Sequence, residues 1–202
     1  MACSRHDGTS RRDFLRVAAG LWALVAGART ADAARAQPLR PTPSCAGESS
    51  PTPRQTEGPY FKPDSPLRAS LLEPGIVGTR IVVTGLVLST SCQPVSRALI
   101  DAWHSDDRGV YDTTGFRLRG HQFTDDQGRY RLETIVPGSY PGRTRHFHVK
   151  VQAPKGPVLT TQLYFPGEPG NASDPIFKRE LVVRVREGAD PRTAAFDFVL
   201  RS

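Results

Sequence analysis

The sequence is poor in the features that mark thiolate zinc sites, membrane spans and nucleic-acid surfaces. It contains three cysteines in 202 residues, and this scarcity of soft thiolates argues against a structural zinc site. The apolar run over residues 17–28 falls short of the ~20 residues needed to cross a bilayer. The formal net charge of +7 is spread without a run of like charge, so we interpret it as favouring solubility. We therefore predict no stable membrane span and no nucleic-acid partner.

Long helical patterns are also missing. The chain has 18 glycines and 18 prolines, and beyond residue 36 no stretch with helical periodicity exceeds a turn or two. Short β-branched or alternating segments separated by turns occur instead, at residues 80–88, 98–104, 129–134, 145–152, 159–165, 181–185 and 195–200. This spacing predicts an all-β fold, a β-sandwich of short, mostly antiparallel strands with long loops at one end carrying the site.

The N-terminal residues have the order of an export signal. Residues 10–16 carry adjacent arginines before Phe-Leu, an apolar run follows, and residues 34–36 read Ala-Arg-Ala, a small-x-small cleavage pattern. The paired arginines resemble a twin-arginine signal, so we predict export to the periplasm or beyond by that route. The predicted organisation is a signal peptide over 1–36, a Pro/Ser/Thr-rich arm over 37–53 and one folded domain over 54–202.

The cysteines fit that organisation. Cys3 would leave with the signal, and the mature chain would keep Cys45 and Cys92. An even pair in an exported domain predicts a disulfide, with two unpaired thiols as the alternative.

Two histidines, His146 and His148, form the most informative pattern. In a strand, positions i and i+2 project from the same face about 7 Å apart, which lets both imidazoles bind one metal at ~2.1 Å. Tyr111 follows the 98–104 segment and Tyr140 lies in a Pro-Gly-Ser-Tyr-Pro turn, and loops at one end of a sandwich converge. Two imidazoles and two phenolates would suit Fe(III), because a trivalent cation deprotonates a phenol. The alternative is a strand whose solvent face happens to carry two histidines.

Five segments, in this order, resemble the intradiol ring-cleavage dioxygenases, the family that includes protocatechuate and catechol dioxygenases. The resemblance runs from about residue 55 to 200, and its motifs are TEGPYF (56–61), DAWHSDDRGVYD (101–112), residues 124–140, RTRHFH (143–148) and TQLYF (161–165). It implies non-haem Fe(III) and a catechol-type substrate. The ring would be cleaved between its two hydroxyls with O₂, giving a cis,cis-muconate-type product. The choice among catechol, protocatechuate and hydroxyquinol stays open, as does assembly into a homo-oligomer.

The same resemblance assigns roles to individual residues. Tyr111, His146 and His148 would stay on the iron, while Tyr140 would be displaced by the substrate and take one of its protons. Arg143 would stabilise the negative charge that develops, and Gln162 would hydrogen-bond the substrate. The TEGPYF motif would line the substrate pocket through Thr56, Gly58, Pro59 and Tyr60.

Other polar and aromatic residues are given structural roles. His104, at a strand end, could line the pocket, but it matches no ligand position. His121 is expected at the surface or the pocket rim, and Asp101 as a structural hydrogen-bonding carboxylate. Tyr130 and Tyr164 are expected in the core, and Arg145 on the strand face opposite His146.

Two other functions remain open at this point. A non-catalytic β-sandwich binding module of the transthyretin-like kind would need neither a metal nor the Tyr and His pairs. A zinc hydrolase would use His146 and His148, but the sequence has no H-E-x-x-H motif.

Overall fold

The computed structural model describes residues 50–186, 188 and 190–201, and these form two β-sheets and no α-helix. This confirms the predicted all-β class. Two short 3₁₀ helices, Pro169–Ala172 and Arg179–Leu181, follow the sixth strand. The strands are β1 (Arg80–Ser89), β2 (Leu99–Trp103), β3 (Arg119–Phe123), β4 (Arg129–Ile135), β5 (His146–Gln152), β6 (Val158–Tyr164), β7 (Arg184–Arg186), β8 (Arg192–Ala195) and β9 (Phe198–Leu200).

The strands are divided between the sheets in a mostly antiparallel arrangement, as predicted. The first sheet has the order β4-β1-β8-β7, with β9 also paired to β1, and the second has the order β3-β2-β5-β6. Among the pairings between strands of the described chain, only those of β1 with β8 and with β9 are parallel.

Three segments differ from the expected strands. The 181–185 segment begins in a 3₁₀ turn that ends at Leu181, so β7 is only Arg184–Arg186. The 195–200 segment contains the last residue of β8 and the whole of β9, with two residues between them outside either strand. β3 was not predicted, because Arg-Gly-His-Gln-Phe lacks apolar alternation; long-range pairing with β2 holds it extended.

The core lies between the inner faces of the two sheets. Ala98, Ile100 and Ala102 alternate along the β2 segment and are at most 2% exposed, so their face of the strand points into the core. They share one buried cluster with the inward side chains of β1, β4 and β5, among them Ile81, Val83, Leu132, Phe147, Val149 and Val151. Each large apolar side chain buried in this way contributes about 1.5–3 kcal/mol to folding.

Alternation along β2 and β5 puts Trp103, His146 and His148 on the outer face of the second sheet. That face is covered by the chain that precedes β1. The cover is joined to the sheet by backbone hydrogen bonds from Gln55 N to Thr160 O (2.9 Å) and from Arg68 N to His121 O (2.8 Å). The part of the outer face that carries Trp103, His146 and His148 is thus buried.

Residues 1–49 lie outside the described residues, and Cys45 is among them. The signal peptide, the arm, the domain limits and the Cys45–Cys92 disulfide therefore stay predictions. In the part of the chain that the structure describes, no helix has both the length and the apolar character to cross a membrane.

Candidate metal centre

His146 and His148 occupy the first and third positions of β5 and point to one spot. Their side chains are buried, with 2% and 1% of their surface exposed. The two Nε2 atoms lie 3.1 Å apart. Residues i and i+2 of a strand have Cβ atoms about 7 Å apart on one face, so the two rings meet when they tilt toward each other.

Two loops bring phenols to the same spot. Tyr111 lies in the loop between β2 and β3, and Tyr140 in the loop between β4 and β5. Their hydroxyl oxygens lie 3.5 and 3.4 Å from His146 Nε2. All four predicted ligand side chains thus meet around a single nitrogen atom.

These spacings fit a shared metal ion. Ligand atoms held at ~2.1 Å from one metal, at right to tetrahedral angles, lie ~3.0–3.4 Å from each other. The three distances to His146 Nε2 span 3.1–3.5 Å. A metal could therefore be accommodated with little rearrangement of these four side chains.

The two rings are held in an orientation that suits ligation. His146 Nδ1 lies 2.7 Å from Thr144 O; because a carbonyl can only accept, Nδ1 carries the proton and Nε2 presents a lone pair. The His148 ring stacks on Trp103, with centroids 5.0 Å apart and planes 7° apart. On its other side lies Gly58, where an added Cβ would sit 3.1 Å from His148 Cε1. The absence of a side chain at Gly58 thus leaves room for the ring.

Electrostatics keep both imidazoles neutral. Burial, reinforced by the nearby Arg143 charge, lowers the pKa of His146 to about 4. Burial and the neighbouring His146 lower the pKa of His148 well below its ordinary value. Two neutral nitrogens facing each other at 3.1 Å need a proton or a cation between them, and neutral imidazole is the form that binds a metal.

The phenols complete a hard ligand set. Burial, followed by the neighbouring Tyr140, raises the pKa of Tyr111, and burial raises the pKa of Tyr140. Both phenols therefore keep their protons unless a bound cation supplies the opposing charge. Among the described residues no three His, Cys, Asp or Glu side chains gather into a metal-binding group, so the candidate site depends on the two phenols. Two imidazoles with two oxygen anions suit ferric iron.

Arg143 and Gln162 lie beside the ligands in one hydrogen-bonded network. Gln162 on β6 is the register partner of His148 and is fully buried. Its Oε1 accepts from Arg143 Nη2, and its Nε2 donates to Thr56 O (3.0 Å). Arg143 Nε donates to the buried Asp174 carboxylate at 2.9 Å, so the guanidinium is fixed in place.

The predicted substrate-contacting residues form part of the cover. Tyr60 stacks on Tyr111, with centroids 4.3 Å apart and planes 13° apart. Gly58 packs on His148, and Thr56 reaches Gln162 through its carbonyl. Pro59 is exposed. The structure thus brings three of the four against the ligands or their neighbours, while Pro59 lies at the surface.

Residues expected to be structural have their polar atoms satisfied away from the ligands. His104 Nδ1 lies 2.7 Å from Ser105 O and its Nε2 lies 2.7 Å from Thr134 Oγ1, so neither nitrogen is available to a metal. Asp101 accepts from Ser65 Oγ, and His121 Nδ1 lies 2.7 Å from Ser65 O.

The tyrosines expected in the core are buried, and Arg145 is engaged elsewhere. Tyr130 donates to Phe196 O at 2.8 Å. Tyr164 lies on the outer face, where its hydroxyl lies 3.1 Å from Gln162 Oε1, so it also belongs to the network beside the ligands. Arg145 pairs with Glu168 at 3.0 Å.

Two supporting residues escaped the sequence reasoning. Trp103 provides the platform for His148, a role that depends on the β2–β5 register. Asp174 fixes both Arg143 and the backbone N of Thr144, although 31 residues separate it from Arg143. The only local sign was the alternation that put Trp103 on the polar face of its strand.

Comparisons with known proteins identify the family of this chain. A family model described as Dioxygenase matches residues 56–202. The chain is 38% identical over 120 residues to the protocatechuate 3,4-dioxygenase beta chain of Burkholderia cepacia, covering 50% of this chain and 51% of that one. It also resembles the hydroxyquinol 1,2-dioxygenase of a Rhizobium species, with 31% identity, 59% of this chain and 50% of that protein. The chain thus spans about half the length of these two relatives.

A solved structure matches almost over its full length. It is the dioxygenase domain of a dioxygenase–carbohydrate-binding protein fusion from the cellulolytic bacterium Streptomyces sp. SirexAA-E. The identity is 55% and the TM-score 0.73, covering 75% of this chain and 99% of that one. Since the family model spans nearly all of the described residues, the chain belongs to the intradiol ring-cleavage dioxygenase family.

Proposed function

We propose that this chain holds Fe(III) through Tyr111, Tyr140, His146 and His148 and cleaves a catechol-type diol between its two hydroxyls. The reaction would consume O₂ and give a cis,cis-muconate-type product. The observation that carries the proposal is the convergence of two phenols and a second imidazole within 3.5 Å of His146 Nε2. When bound, ferric iron would supply the positive charge that ionises diol and phenols and the electron exchange that lets the diol react with O₂.

Tyr140 is the phenol placed to move a proton. Its side chain is half-buried, whereas Tyr111 is 7% exposed and lies beneath Tyr60. An incoming diol can therefore displace Tyr140 with the smaller rearrangement. Its freed phenolate oxygen is a strong base and takes a proton from a substrate hydroxyl.

Arg143 and Gln162 stabilise and orient the ionised diol. Arg143 brings a fixed positive charge beside the ligands, held by Asp174. Gln162 is oriented by Thr56 O and Tyr164. Preorganised groups of this kind stabilise developing negative charge without having to reorganise during the reaction.

The cover formed by residues 56–61 excludes water from the reacting centre. Tyr60 lies over Tyr111, and Phe61 lies against Trp103 with centroids 5.0 Å apart. Exclusion of water strengthens the electrostatic interactions of Arg143 and Gln162 with the ionised diol and limits side reactions. The relatives named for protocatechuate and hydroxyquinol support an aromatic diol as substrate without ranking its substituents.

The proposal is tested by iron analysis, visible absorption and an activity screen on the purified chain. We expect one iron per chain and a visible phenolate-to-iron absorption band. O₂ uptake with catechol, protocatechuate or hydroxyquinol should yield a muconate-type product. Tyr111→Phe should abolish that activity, while Tyr130→Phe, a buried phenol bonded to Phe196 O, should retain iron and colour. A folded, colourless chain that takes up no iron would contradict the proposal and favour a non-catalytic binding module.

A further inference from the structure

Arg119 on β3 is a buried cation beside the candidate centre. Its register partner is Trp103, Trp103 is also paired with His148, and His148 with Gln162. These four residues form one row across the outer face of the second sheet, and all are at most 2% exposed. The row therefore contains both the buried guanidinium of Arg119 and the predicted ligand His148, with Trp103 between them.

The hydrogen bonding of this guanidinium is incomplete. Arg119 Nη2 donates to the backbone oxygen of Asp112 at 2.8 Å, and Asp112 directly follows Tyr111. Its Nε is buried and has no hydrogen-bond partner. Among the described residues, no carboxylate lies within ion-pair distance of Arg119.

The acids nearest to Arg119 are already engaged. The Asp112 carboxylate accepts from the backbone N atoms of its own loop, including those of Gly115 and Arg117. Asp101 accepts from Ser65 Oγ. A buried guanidinium is normally bonded directly to an anion, and among the described residues Arg119 has no such direct partner.

The other cation of the site differs in this respect. Arg143 lies near Tyr140, but its charge is balanced by Asp174 at 2.9 Å. Arg119 interacts electrostatically with Asp112, Tyr111 and Asp101, but no carboxylate among the described residues lies within ion-pair distance of it. Tyr111 therefore faces the positive charge of both Arg143 and Arg119, whereas Tyr140 faces that of Arg143.

We propose that Arg119 is a positioning residue that fixes the Tyr111 loop and balances the negative charge of Tyr111 as a metal ligand. This inference rests on the proposed function and deepens it. With the added positive charge of Arg119, and with its loop held by the hydrogen bond to Asp112 O, Tyr111 would stay on the metal. Tyr140 would then be the ligand that substrate displaces. The asymmetry is built into the protein before any substrate arrives.

Three substitutions separate charge from hydrogen bonding. Arg119→Lys keeps the charge, Arg119→Gln keeps a donor for Asp112 O, and Arg119→Met keeps neither. Arg117→Met is the matched control, because it removes an exposed cation from the same loop. Each purified protein is assayed for iron retention against a competing chelator, for the visible absorption band and for thermal melting.

We expect Arg119→Met and Arg119→Gln to lose iron about 10- to 100-fold more readily than the parent and to shift the absorption band. Arg119→Lys should recover most of both properties, and Arg117→Met should match the parent. If Arg119→Met fails to fold, the iron retention and absorption band of Arg119→Gln test the inference instead. Parental iron retention and an unshifted band in the neutral variants, with only a lower melting temperature, would reduce Arg119 to a structural residue and overturn the inference. A parent chain that binds no iron would instead overturn the proposed function along with it.

Discussion

The two faces of the second sheet bury histidines in opposite ways. On the inner side, His104 bonds to Ser105 O and to Thr134 Oγ1 of the facing sheet, so both ring nitrogens are satisfied by the protein. On the outer side, His146 and His148 turn their Nε2 atoms toward each other and toward two phenols. All three rings are at most 2% exposed, and burial lowers the pKa of each. Burial and a shifted pKa thus do not by themselves distinguish a ligand from a core residue. The convergence of two ring nitrogens and two phenol oxygens on one spot does.

The largest expected effect separates the two faces directly. His148→Ala should weaken iron binding more than about 100-fold, beyond the range seen when only a supporting residue is lost. His104→Ala should retain iron, because it leaves all four ligand atoms in place. Iron content per chain and the visible absorption band measure both. Equal loss of iron in the two variants would put His104 among the ligands and contradict the difference between the two faces.

A smaller effect should follow from crowding His148 without removing it. Gly58→Ala adds a Cβ 3.1 Å from His148 Cε1 at a backbone φ of +74°. Gly167→Ala is the control, since it has a similar φ of +71° and open space around the added atom. Both should lower the free energy of unfolding by about 1–2 kcal/mol, the strain of a left-handed non-glycine residue.

Only Gly58→Ala should also weaken iron binding, by roughly 10-fold, because it displaces a ligand ring. Chelator competition measures the affinity, and urea unfolding measures the stability. Equal iron affinity in Gly58→Ala and Gly167→Ala would show that the His148 ring can be displaced without weakening iron binding.

A further prediction concerns the pH dependence of stability and the inner face, and it does not involve iron. Burial lowers the pKa of His104 from 6.5 to about 4 in the folded protein. Between these values the unfolded chain binds a proton that the folded chain does not, so stability falls as pH drops from 6.5 toward 4. The contribution of His104 over that window is about 3 kcal/mol, at 1.36 kcal/mol per pKa unit.

His104→Asn should remove that share of the acid sensitivity in the iron-free protein. Urea unfolding at pH 7 and pH 4.5 gives the two free energies for each protein. An unchanged difference between the two pH values would mean that His104 already titrates normally in the fold.

Local pattern explains which parts of the site were predictable. The i, i+2 spacing of His146 and His148 needs only a strand to put both rings on one face, and β5 supplies it. The approach of Tyr111 and Tyr140 depends on two loops from different parts of the chain. The convergence of loops at one end of a sandwich made it possible, and the family resemblance assigned both residues as ligands. The structure brings both hydroxyls within 3.5 Å of His146 Nε2.

Long-range pairing explains what was missed. β3 has no apolar alternation, and its extended form comes from its neighbours β2 and the 66–68 segment. Arg119 resembles a surface residue in the sequence, yet the covering chain buries it. Trp103 could be assigned to the polar face of its strand, but its stacking on His148 required the register between β2 and β5.

The chain that covers the outer face joins the start of the described protein to its end. Thr52 N donates to Val199 O at 2.9 Å, and Val199 N donates back to Thr52 Oγ1 at 2.8 Å. Three residues later, Gln55 N donates to Thr160 O of β6. Gln55 directly precedes residues 56–61, which cover the ligands. The segment that encloses the four ligands is therefore held in place by β9, and this anchor forms only after β9 has been synthesised. A metal that enters before β9 has formed would meet a site whose cover is not yet fixed at that end.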